Sequence, residues 1–138
     1  MKSGLQWLNR AIVVSPIRYC RCTSERAFYR ELDRLKMPRS ENPYFVKSEN
    51  HAVTHHFECN NGKVAIVCIN PAKRHSPIQV AALLVHEAVH IWQKCRDTIG
   101  EDNPSHEFEA YSIQWIAQEL MEAYANTLKR KHRRRKRS

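Results

Sequence analysis

From Ala81 to Gln93 the chain reads AALLVHEAVHIWQ, an apolar run interrupted by three proton-accepting side chains, His86, Glu87 and His90. On a helix, residues i and i+4 lie one turn apart on one face, so the two imidazoles can converge on a single point. Glu87 sits about 100° further round, within reach of a water held between them. Two neutral imidazoles at this spacing bind zinc, and the intervening glutamate can act as a general base. Unpartnered polar groups are expensive to bury, and coordination would satisfy both rings. The apolar flanks lead us to expect histidines that face inward.

A zinc centre that does chemistry needs a third protein ligand and an open position. The stretch PSHEFEAYSIQWIAQ offers Glu107 and Glu109, 17 and 19 residues beyond His90. Periodicity aligns Glu109 with Ile113, Ile116 and Leu120. Glu107 aligns instead with Ala110, Tyr111 and Gln114, a small and polar face suited to lining a site. His106 is a weaker third donor. Gln93 is a residue that can line the cleft. Trp92, Trp115 and Tyr124 read as core, His51 and His75 as loop residues, and His55-His56 as an alternating strand pair of which at most one faces the interior.

HEAVH and EFEAY together resemble the gluzincin type of zinc metallopeptidase, in particular small metallopeptidases encoded by phages and prophages. The resemblance covers roughly residues 53–124. In several such families the ligand glutamate opens an E-x-x-A-D pattern. EFEAY matches it from Glu107, with Tyr111 where aspartate is usual, so the resemblance favours Glu107 and keeps Glu109 as the alternative. The missing aspartate leaves open what orients the ligand histidines. The resemblance implies a Zn2+ cofactor, a peptide or protein substrate, Glu87 as base and an edge strand beside the active-site helix. It also calls for a further oxyanion donor, for which Tyr111 and His106 are the candidates.

An α+β domain must position these residues. Thr23 or Ser24 caps a helix to about Lys36, and Met37-Pro38 ends it. Residues 38–43 read as a polar loop. Strand material follows on both sides of Asn61-Gly62, a hairpin signal. Ser76, Pro77 and Gln79 start a helix that runs to about Arg96, with Gly100 near its end. A last helix begins near Ser105. The expected order is N-terminal helix, β-hairpin or small antiparallel sheet, active-site helix and C-terminal helix. Residues 1–23 read as an N-terminal arm, 24–128 as the zincin-like domain and 129–138 as a disordered basic tail. The arm is acid-free, as transit peptides are, but its AIVV is too short for a secretory core.

The net charge of +9 resides in that tail. Lys129, Arg130, Lys131, Arg133, Arg134, Arg135, Lys136 and Arg137 are eight of the 23 basic residues, leaving 15 against 14 acids elsewhere. Such a run repels itself and binds polyanions without reading sequence, so nucleic acid is an expected partner. Five cysteines at irregular spacing argue for free thiols in a reducing compartment, the cytoplasm, or the host's if the chain is phage-encoded. No apolar run is long enough to span a membrane. Two alternatives to a peptidase remain open. One is a nucleic-acid-binding protein with a structural or vestigial zinc. The other is a toxin-like interaction module on a zincin scaffold.

Overall fold

The computed structural model describes residues 5–8, 15–38 and 43–137. The AIVV segment, most of the polar loop at 39–42 and Ser138 lie outside them. The chain is α+β, and the described residues form four strands and three helices: β1 (Leu5–Trp7), β2 (Ile17–Cys22), α1 (Glu25–Arg34), β3 (Ala52–Cys59), β4 (Gly62–Ile69), α2 (Pro77–Ile99) and α3 (His106–Arg135). The strands form one sheet in the order β1-β2-β4-β3.

β3 and β4 make the expected hairpin, with Cys59 opposite Gly62, so the two-residue loop is Asn60-Asn61 rather than Asn61-Gly62. Gly62 follows at φ +111°, a conformation that L side chains rarely adopt. β2 pairs with β4 in parallel and β1 with β2 antiparallel, which makes the sheet mixed rather than antiparallel. Part of the expected arm is therefore an interior strand. Its sequence IRYCRC carries two arginines, and both patterning and charge disguise it. Yet Arg21 is 1% exposed; its Nη2 donates to Thr127 Oγ1 at 2.5 Å and its guanidinium lies 6.0 Å from the Tyr124 ring centroid.

Alternation along β2 and β4 sorts the core onto the two faces of the sheet. Ile17, Tyr19, Ala65, Val67 and Ile69 pack with Leu84, Ala88, Ile91 and Trp92 of α2 and with Ile116 and Leu120 of α3. Cys20, Cys22, Ile66 and Cys68 pack on the other face with Phe28 and Leu32 of α1 and with Phe45. Tyr19 reaches across to α3, its hydroxyl donating to Glu119 Oε2 at 2.6 Å. Burial, then this carboxylate, holds its phenol well above the usual range.

The helix ends follow local chemistry. Ser24 caps α1 and accepts from the Ala27 N–H. Ser76 and Gln79 form a reciprocal capping box on α2, Pro77 takes the first turn, and Gly100 closes the helix at φ +73°. Ser105 caps α3. α3 continues through the basic run to Arg135, so that segment is helical and not a disordered tail. Among the described residues, no helix is long and apolar enough to cross a membrane.

Phe28 is wholly buried and stacks near Tyr29, Phe45 and His55, with ring centroids 5.1–5.6 Å apart. Phe28→Ala is expected to cost about 3–5 kcal/mol, readable as a fall in the urea midpoint at unchanged slope.

Candidate metal centre

α2 turns its buried stripe of Val80, Leu84, Glu87, Ala88, Ile91 and Cys95 toward the sheet. His86 and His90 fall beside that stripe and are exposed, while Glu87 is only 4% exposed. The expectation of inward-facing histidines is thus reversed: the carboxylate is the buried member. The rings nevertheless converge, with His86 Nε2 and His90 Nε2 3.1 Å apart and centroids 4.8 Å apart. His90 Nδ1 lies 3.1 Å from Gln93 Oε1. An amide oxygen can only accept, so Nδ1 carries the proton there and the Nε2 lone pair faces His86. Gln93 thereby fixes the orientation of the His90 ring.

Glu87 is held from the neighbouring strand, where Thr54 Oγ1 donates to its Oε2 at 2.5 Å. Two hollows meet at Ala52, His86 and Glu87 between α2 and β3. Thr54, His56, His90, Gln93, Lys94 and Asp97 line one; Glu49, His51, His75, Gln79 and Leu83 line the other. β3 stands at the edge of the sheet, its outer side unpaired among the described strands. His55 turns to the α1 face, its Nε2 donating to Phe45 O at 2.9 Å, and burial holds its ring below the usual range despite that bond. His56, on the Thr54 side, is also held low, by desolvation and then by Lys94 and His90. Thr54 is not marked in the sequence, where its one signal is its place on a strand that precedes the helix carrying His86 and His90.

Thr54→Val keeps the shape and removes the one hydrogen-bond donor that Glu87 has among the described residues. It is expected to destabilise the fold by about 1–3 kcal/mol, measured by thermal or urea unfolding, because the carboxylate remains buried.

The third ligand is not assembled. Among the described residues, no group of three or more His, Cys, Asp or Glu side chains is placed to hold a metal. Glu109, the ligand that periodicity favours, is occupied elsewhere. Its Oε2 accepts from Trp92 Nε1 at 2.8 Å and pairs with Arg96 Nη1 at 3.8 Å. Trp92 lies about 120–160° and Arg96 about 80–120° round α2 from the two histidines. Glu107 is exposed in the first turn of α3, with no partner among the described residues. Tyr111 is 63% exposed and lines neither hollow, and His106 is exposed as well, so neither is placed as an oxyanion donor.

All five cysteines are free, and burial raises every thiol, which leaves no activated sulfur nucleophile. At the far end of α3, residues 129–135 are exposed along successive helical turns, and residues 136 and 137 just beyond it are exposed as well. No family model, curated protein or solved structure matches the chain.

Proposed function

We propose that the chain is a zinc-dependent peptidase of gluzincin type. The observation that carries this reading is the pair of Nε2 atoms 3.1 Å apart on α2, with the Glu87 carboxylate beside them at the meeting point of two hollows. The donor set fits zinc: two imidazole nitrogens aimed at one another, one with its tautomer fixed by Gln93. Glu107 would take the third position, because it is the unpartnered carboxylate of the two candidates whereas Glu109 is bound to Trp92 and Arg96.

Zinc bound there would supply a Lewis acid, lowering the pKa of a bound water to about 7 and polarising a peptide carbonyl. Glu87 takes the water's proton as the carbonyl carbon is attacked and delivers it to the leaving amine nitrogen. Thr54 holds Oε2 and leaves Oε1 to carry the proton. The unpaired side of β3 gives an extended peptide backbone a ladder on which to align. Buried Glu87 also weighs against a purely structural zinc, which gains nothing from a base next to an open position.

The test is cleavage of a peptide library by the full chain, before and after chelation and with zinc restored. Activity lost on chelation and recovered with zinc is the expected result. Equal cleavage with and without metal, or none under any condition, counts against the reading.

The exposed basic run, helical through Lys129, Arg130, Lys131, Arg133, Arg134 and Arg135 and continued by Lys136 and Arg137, favours a second, compatible role as an anchor on nucleic acid or another polyanion. Affinity for duplex DNA should fall steeply with salt, with a log–log slope of about −0.9 per phosphate contacted. Removing residues 129–138 should abolish that slope, as measured by fluorescence anisotropy across a salt series.

A further inference from the structure

His51 and His75 are 24 positions apart in the sequence, and nothing in their local context marks them for chemistry. The fold brings them together: His51 Nδ1 and His75 Nε2 are 2.8 Å apart, with ring centroids 5.0 Å apart at 64°. This repeats, at a second place, the arrangement of His86 and His90, whose nitrogens are 3.1 Å apart. His51, His75 and His86 line the hollow that also holds Glu49 and Glu87, while His90 lines the neighbouring one.

The backbone beneath the second pair is fixed. Asn70, itself buried, donates from its N–H to His51 O and from Nδ2 to Asn50 O, both at 2.9 Å. Its Oδ1 accepts from the Ala72 N–H at 3.0 Å. One side chain thus ties the start of β3 to the turn after β4. His75 immediately precedes the capping box of α2, where Gln79 Oε1 is already occupied by the Ser76 N–H. The imidazoles are therefore presented from two anchored backbones, and a ligand that joins them has little chain entropy to remove.

We propose that His51 and His75 form a second divalent-metal site, distinct from the His86–His90 centre and independent of the peptidase reading. Two imidazoles select ions that favour nitrogen, such as nickel, copper or zinc, over magnesium or calcium. With metal–nitrogen bonds of about 2.05 Å, donors at right angles sit about 2.9 Å apart and tetrahedral donors about 3.3 Å apart. The 2.8 Å separation is a hydrogen-bonding distance, one nitrogen carrying a proton that a metal ion would displace, and it leaves both nitrogens within reach of either geometry. Water fills the remaining positions, and Glu49 on the same hollow contributes negative charge. With only two protein donors, the site is weaker than a three-ligand centre and fills on titration rather than during purification.

The experiment is calorimetric titration of the full chain with Ni2+, comparing wild type, His51→Gln, His75→Gln and the double variant His86→Ala/His90→Ala. Far-UV circular dichroism verifies that each variant is folded. Each of His51→Gln and His75→Gln should lose one binding event, or weaken it at least ~10-fold, for want of one of its two imidazoles. The double variant should keep that event. Unchanged binding in either single variant overturns the site. Loss of the event in the double variant overturns its independence. Should the His86–His90 centre prove not to bind metal, the double variant would match wild type while His51→Gln and His75→Gln would still lose their event.

Discussion

Glu87→Gln is expected to lower peptide cleavage by about 10²–10⁴-fold while leaving the zinc content and the fold in place. The amide retains the shape of the carboxylate and can still accept from Thr54 through its oxygen, so the packing between α2 and β3 survives. What it cannot do is take a proton from water and return it to the amine. Because Glu87 is no ligand in this scheme, metal content separates a lost base from a lost site. A variant that cleaves as well as wild type would remove Glu87 from the mechanism. One that loses zinc together with activity would make Glu87 part of the coordination sphere.

The second large effect distinguishes two glutamates that lie two residues apart. Glu107→Gln is expected to reduce zinc affinity by an order of magnitude or more, and cleavage with it, at unchanged thermal stability, because the side chain is exposed and without a partner among the described residues. Glu109→Gln should do the reverse. It weakens the bond to Trp92 Nε1 and removes the ion pair with Arg96, costing about 1 kcal/mol of stability with zinc retained. Metal analysis after dialysis and a thermal melt on each variant read both outcomes. Zinc lost from Glu109→Gln and kept by Glu107→Gln would exchange the roles.

Helix α2 is legible from the sequence because independent local signals agree on it. Ser76, Pro77 and Gln79 fix its start, Gly100 fixes its end, and the apolar stripe lies between. The hairpin and α1 are legible for the same reason. β2 is not, since its parallel pairing with β4 is made across more than 40 residues and leaves no trace in local pattern. The burial of Arg21 conceals it further.

At the candidate site, spacing gives the convergence of His86 and His90 but not which of the three polar groups faces the sheet. An apolar flank is shared by every face of a short window, and only the docking of α2 on β3 decides that Glu87 is buried and the histidines are exposed. The choice between Glu107 and Glu109 likewise depends on Trp92 and Arg96, which lie a full loop away in sequence. The meeting of His51 with His75 is a tertiary event held by Asn70, beyond any local reading.

The central claim is that α2 carries a metal centre, and zinc content tests it most directly. Purified wild-type chain and His86→Ala should be dialysed side by side against metal-free buffer and analysed by mass spectrometry of the metal. The expected result is one tightly held zinc per chain in wild type and none in His86→Ala. Zinc absent from wild type, or retained equally by His86→Ala, would contradict the account.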